Sequence, residues 1–216
     1  MFLTNYYKYP RTIHHLDSGY LTADDKMMHS DEHLIGKQIV VTLKLDGENT
    51  NLYPDYMHAR SLSIASHFSQ NWVKDYHYKN IAPNLPQGFR VCAENLFASH
   101  SITYTELESY LYGFSIWNED VCLSWAETLE WFELLNIIPV PTVYEGVYDR
   151  ALIQKLFKDL DKSKNEGLVI RLQEAFKYTD FSESVCKLVR PNHVTSSTHW
   201  KFKKIIPNQL KRTVKY

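Results

Sequence analysis

Along most of the chain, apolar residues come in short runs or alternate with polar ones. Strand-like runs fall at Ile39–Leu45, Thr50–Tyr53, Met57–Ser61, Phe89–Phe97, Leu111–Trp117, Ile137–Val143, Leu168–Leu172 and Val185–Val189. Three stretches carry helix signals instead. Ser124 followed by Glu127 is a capping box that opens a helix over Trp125–Leu135, with Leu129, Phe132 and Leu135 at core spacing. Asp149 caps a second helix, whose Leu152, Ile153, Leu156, Phe157 and Leu160 form one stripe. A third helix is expected over Ser69–Asn80. Strands with interspersed helices and no regular β-α-β rhythm predict an α+β fold with mostly antiparallel sheets. No repeat or Gly/Ser linker divides the chain. One domain is therefore expected over 1–200, followed by a basic tail over 201–216 that holds Lys201, Lys203, Lys204, Lys211, Arg212 and Lys215.

Composition narrows the class. The 216 residues suffice for a real core, and 44% of them are apolar. The net charge of −1 means that any nucleic-acid role rests on a local patch. The 14% aromatic content, with 15 Tyr, suits stacking on bases and equally a Tyr-rich surface. Cys92, Cys122 and Cys186 are odd in number, lack zinc spacing and sit in apolar runs, which predicts buried free thiols in a reducing compartment. The start MFLTNYYKYPRT lacks a signal peptide's apolar core, and no run is long enough to span a membrane. A cytoplasmic protein is expected.

Five segments carry candidate chemistry. In Leu43-Lys44-Leu45-Asp46-Gly47-Glu48-Asn49, strand alternation puts Val41, Leu43 and Leu45 on one face and Thr42, Lys44 and Asp46 on the other. Asp-Gly by itself signals a plain hairpin, but a lysine beside a carboxylate at a strand mouth is also a possible nucleophile. Glu94 lies inside a strand pattern with Cys92 and Leu96, where a carboxylate needs a metal, a hydroxyl or a cation, a strand-end salt bridge being the simplest partner. The run Leu111–Trp117 has aromatics on both faces, suited to core packing or to stacking on a base. Glu166 sits in a turn feeding an apolar strand, either solvated or a ligand for Mg²⁺. Lys187 shares a strand face with Val185 and Val189, where a lysine snorkels or meets an anion such as phosphate.

Taken in order, these segments resemble the covalent nucleotidyltransferases. They are most similar to the ATP-dependent RNA ligases of the phage and bacterial RNA-repair type. The resemblance rests on Lys44-Leu45-Asp46-Gly47-Glu48-Asn49, His58-Ala59-Arg60-Ser61, Ala93-Glu94-Asn95-Leu96-Phe97-Ala98, Gly113-Phe114-Ser115-Ile116-Trp117, Glu166-Gly167-Leu168-Val169-Ile170 and Lys187-Leu188-Val189-Arg190, and runs from about Lys8 to Trp200.

The resemblance implies a ligase adenylation domain in which Lys44 attacks the α-phosphorus of ATP and carries AMP. AMP passes to an RNA 5′-phosphate, and a 3′-hydroxyl then seals the ends. It also implies that Glu94 and Arg60 hold the ribose, that Phe114 stacks on adenine and that Lys187 touches the α-phosphate. Glu166 would bind Mg²⁺ or Mn²⁺ or order its waters, with Glu94 a second metal carboxylate. Asp46, Asn49 and Arg190 would contact nucleotide or RNA, although Arg190 falls on the opposite strand face from Lys187. Lys44 must lose its proton to attack, so burial and two nearby cations, Lys187 and a bound Mg²⁺, are expected to lower its pKa from the ordinary ~10.4.

The chain departs from the pattern twice. Leu43 stands where many of these ligases carry a glutamate that reads the adenine amine. Only 26 residues follow Arg190, too few for a further OB-type domain. RNA binding is then expected from the core surface, the basic tail or a partner, and a monomer is expected. His14, His15, His67, His193 and His199 have no assigned role. The competing readings are a DNA ligase, a capping guanylyltransferase, and an RNA-end-binding protein without catalysis.

Overall fold

The computed structural model describes residues 5–19, 25–62, 67–190 and 205–212. In chain order its elements are β1 (Ile13–His14), β2 (Gln38–Lys44), β3 (Glu48–Leu52), β4 (Met57–Ala59), α1 (Asn71–Tyr76), β5 (Phe89–Asn95), β6 (Leu111–Asn118), β7 (Val121–Cys122), α2 (Trp125–Leu134), β8 (Ile138–Pro139), β9 (Thr142–Val147), α3 (Arg150–Asp159), β10 (Gly167–Leu172), β11 (Phe176–Lys177), α4 (Phe181–Ser184) and β12 (Val185–Val189). They form an α+β fold of two sheets. The first has the order β1-β12-β10-β2-β9, and the second β11-β7-β6-β5-β3-β4 with β8 added beside β6. Among the described strands, only the β1–β12 and β6–β8 pairs are parallel.

Burial explains why β2 sits near the centre of its sheet. Ile39 and Val41 pack with Leu168, Ile170, Leu188 and the α3 residue Ile153. Val40, on the other face, joins Tyr112, Trp125 and Val140. Each such side chain contributes roughly 1.5–3 kcal/mol of transfer free energy. Alternation holds up to Lys44, where the strand ends. Leu45 then turns to the cluster of Val40 rather than to that of Val41. The second sheet buries Leu52, Val91 and Ile116 against α2 residue Phe132 and α1 residue Val73. Between the sheets lies a floor of Tyr9, Cys92, Trp117, Cys122, Phe176, Phe181 and Val185.

The capping box forms as expected, with Glu127 N donating to Ser124 Oγ at 3.3 Å and Ser124 N to Glu127 Oε2 at 3.0 Å. Asp149 caps α3 through Leu152 N at 3.1 Å. Two expectations change. The single helix over Ser69–Asn80 is three pieces: a 3-10 turn (Phe68–Gln70), α1 and a π turn (His77–Ile81). The single strand over Ile137–Val143 is split into β8, which pairs with β6, and β9, which pairs with β2. Pro139 and Pro141 have no N–H to donate, so a continuous ladder is impossible there.

All three cysteines are buried free thiols. No helix among the described residues is long and apolar enough to cross a membrane. The described part of the tail is not loose: Pro207 pairs with Ala98 and Leu210 with Leu107.

Candidate active site

A cleft of about 590 Å³ opens between the sheets, a size that suits a nucleotide. Lys44, Asn49, Arg60, Glu94, Phe114 and Lys187 all line it. They come from β2, β3, the segment after β4, β5, β6 and β12. Lys44 ends β2 opposite Gly167 of β10, and Lys187 in β12 lies opposite Val169 of the same strand. The central strand β10 thus holds the two lysines on either side.

Glu166 precedes β10. Its N–H donates to Lys44 O at 3.2 Å, and its own carbonyl accepts from Arg190 N at 3.1 Å. Gly167 makes this possible, because a β-carbon there would overlap the backbone carbonyl of Leu188. Lys44 Nζ donates to Glu166 Oε2 at 2.5 Å. Glu166 is 6% exposed, so it is a buried partner of Lys44 and not a solvated turn residue.

The turn after Lys44 is held from the second sheet. Gly47 N donates to Glu94 Oε1 at 3.0 Å. Asp46 Oδ2 accepts from Ser101 N, Ser101 Oγ and Ile102 N, each at 2.7 Å. Asp46 N donates to Tyr104 Oη at 3.0 Å. Asp46 therefore faces the loop between β5 and β6 and does not line the cleft. Arg190 also lies outside the lining, behind Glu166.

The electrostatics of the two lysines differ. Burial disfavours charge on Lys44, but the carboxylates of Glu166, Glu94 and Asp46 outweigh it and hold the ammonium above the ordinary lysine value. This corrects the expectation of a lowered pKa, since opposite charge wins over desolvation here. Lys187 shifts the other way, pushed down by burial and then by the charge of Lys44. Burial pushes the Glu94 carboxyl up to about 8, against the pull of Lys44.

Several residues that sequence reasoning missed stand at the site. Asp25 lines the cleft, 3.7 Å from Lys187 Nζ and 3.3 Å from His14 Nε2. Arg11 lines the same cleft. Ser101, Tyr104 and Asp25 are remote in sequence from the residues they hold, and no local motif marks them. Three of the five histidines now have partners. His14 Nδ1 meets Ser18 Oγ at 2.7 Å, His15 Nε2 meets Tyr148 Oη at 2.7 Å, and His67 Nδ1 accepts from Ser69 N at 3.3 Å as a helix cap. His193 and His199 lie outside the described residues, as do Lys201, Lys203, Lys204 and Lys215.

The donor set fits a nucleoside triphosphate, with Lys44, Lys187, Arg60 and Arg11 facing one cleft. For a metal, the described residues contain no group of three or more His, Cys, Asp or Glu side chains. Glu166 and Glu94 fit Mg²⁺ in its usual mode, in which one or two carboxylates share the ion with water and substrate phosphates.

The fold is similar to that of Naegleria gruberi RNA ligase with PPi, at a TM-score of 0.53 and 17% identity, over 76% of this chain and 53% of that one. A lysine-to-alanine mutant of the same ligase with ATP and Mn matches at a TM-score of 0.52 and 16% identity, over 76% and 52%. The chain spans about half the length of these solved relatives. No curated protein sequence matches. The family model described as RNA ligase matches residues 37–189, which contain every cleft element from β2 to β12, and the chain belongs to the RNA ligase family.

Proposed function

We propose that the protein is an ATP-dependent RNA ligase of the repair type, joining 3′-hydroxyl and 5′-phosphate RNA ends through AMP carried on Lys44. The observation that carries this reading is the convergence of Lys44, Glu94 and Lys187 on one cleft, with Glu166 bonded to the lysine from behind.

Lys44 Nζ attacks the α-phosphorus of ATP. A P–N bond forms, the bond to the β-phosphate oxygen breaks, and pyrophosphate leaves. Before attack the amine must give up the proton that Glu166 now holds in a hydrogen bond. Glu166 is the nearest acceptor for it. Lys187 lines the same cleft and takes up charge on the α-phosphate. Glu94 and Arg60 hold the ribose, Phe114 stacks on the base, and Asn49 contacts the nucleotide or the RNA end. Asp46 acts through the turn it anchors, and Arg190 through its backbone bond to Glu166. A divalent cation at Glu166 and Glu94 would neutralise both carboxylates and supply positive charge to the phosphates. Phosphoryl transfer asks mainly for positioning and electrostatics, which suits a site of Lys, Arg and Glu. In the later steps an RNA 5′-phosphate oxygen takes AMP from Lys44. A 3′-hydroxyl then attacks that phosphate and AMP leaves.

Three buried free thiols support a reducing, cytoplasmic setting. The test is intact mass after incubation with ATP and Mg²⁺. One AMP is expected on the parent chain and none on Lys44→Ala. Covalent labelling by GTP instead of ATP would point to a capping-type enzyme. Sealing of nicked DNA in preference to RNA would point to a DNA ligase.

A further inference from the structure

We propose that Asn208 is a positioning residue for Lys44. The segment 205–212 holds the loop between β5 and β6 that grips Asp46, and so fixes the turn from which the attacking lysine projects. The inference rests on the ligase reading above. It concerns a segment outside the stretch that matches the family model.

The loop from Leu96 to Tyr110 is irregular, and much of its backbone bonding is supplied by this C-terminal segment. Ser99 N donates to Ile206 O at 2.8 Å, Leu107 N to Gln209 O at 3.0 Å and Gln209 N to Tyr104 O at 2.9 Å. Asn208 is the centre of the arrangement and is only 1% exposed. Its Nδ2 donates to Leu96 O at 2.7 Å, and its Oδ1 accepts from Tyr104 N at 2.8 Å. Its backbone N–H donates to Phe97 O at 2.9 Å, and its carbonyl accepts from Tyr110 Oη at 3.0 Å. One side chain thus ties the start of the loop to its middle. Buried backbone groups need such partners, so the loop conformation depends on them.

The same loop is what Asp46 leans on. Ser101 N, Ser101 Oγ and Ile102 N converge on one oxygen of Asp46, and Tyr104 Oη accepts from Asp46 N. Asp46 is two residues beyond Lys44. Gly47 is pressed so closely against the end of β5 that a β-carbon would stand 2.5 Å from Asn95 O. The turn therefore has no slack except through the loop. A shift of about 1 Å at the nucleophile is enough to cost a large factor in rate.

The experiment separates two half-reactions in the full chain. The first is single-turnover uptake of AMP at saturating ATP, with the apparent KM for ATP. The second is sealing of RNA already adenylylated by chemical synthesis, which needs no attacking amine. For Asn208→Ala, AMP uptake is expected to slow by about tenfold or more, with KM for ATP and sealing of the adenylylated RNA within about threefold of the parent. Unchanged AMP uptake overturns the proposal. A parallel fall in both half-reactions also overturns it, because that marks a merely structural residue. If Asn208→Ala melts below the assay temperature, Ser101→Ala, which removes one bond to Asp46, carries the same test, and the split is expected to be smaller but in the same sense. A parent chain that takes up no AMP overturns the ligase reading and this proposal together. A parent that does so while Asn208→Ala matches it overturns this proposal alone.

Discussion

Lys44 and Lys187 sit on the same sheet, flank the same strand and face the same cleft, yet their surroundings favour opposite charge states. At Lys44 the carboxylates of Glu166, Glu94 and Asp46 crowd one amine and keep it protonated. At Lys187 burial and the repulsion of Lys44 dominate, and Asp25 at 3.7 Å compensates weakly. The difference teaches that one lysine is held in a tight ion pair while the other faces the cleft with a more distant partner. The energy that would otherwise be needed to bury a bare ammonium is offset by the acids beside it.

Removing the proposed nucleophile should have the largest effect: Lys44→Ala is expected to leave no AMP adduct by intact mass. Next, Glu166→Ala should abolish adduct formation and also lower stability by about 1–3 kcal/mol, because it removes the hydrogen-bonded partner of a half-buried cation and leaves only the more distant influence of Glu94 and Asp46. Unchanged urea unfolding in that variant would break the claim that the pair is part of the fold. Lys187→Ala should slow AMP uptake by about 10²–10³-fold with little change in melting, since it loses transition-state charge but no tight partner. If it destabilised the protein as much as Glu166→Ala, the contrast between the two lysines would fail. Asp25→Asn should lower the apparent KM for ATP by less than about threefold, since it removes a competing negative charge at long range.

The smallest expected effect lies in acid and belongs to buried histidines. His15, His58 and His77 are held below the ordinary histidine value, chiefly by burial. The unfolded chain therefore binds protons first as pH falls. Their contribution to stability is fully present above pH ~6.5 and is lost as pH falls through the folded values. Thermal melts from pH 7.5 to 5 should show a fall of a few degrees, at ~2–4 °C per kcal/mol for a chain of this size.

The sequence was most legible where the chemistry is local. The box of Ser124 and Glu127, the cap at Asp149 and the period-two strands around Lys44, Glu94 and Lys187 all follow from neighbours within a few residues. So did the family, whose motifs are short and ordered. What escaped is long-range. The prolines that split Ile137–Val143 were visible, but the sheet that each half joins depends on partners far away. His67 caps a turn although it is not among the usual capping residues. The balance at Lys44 among the protein's own groups is not legible, because burial and opposite charge compete there and only the distances decide which wins. The grip of Ser101 on Asp46, and of Asn208 on the loop behind it, has no signature in either segment alone.

The stretch from Pro139 to Thr142 has a mechanical consequence. It leaves the wall that carries Glu94 and Phe114 and enters the wall that carries Lys44 within three peptide units. With the turn Leu45–Gly47, which joins β2 to β3, it is one of the short ties between the walls. Lengthening it with glycines would remove one of these ties and leave the cleft's opposing walls held by those that remain, the turn beside Lys44 among them.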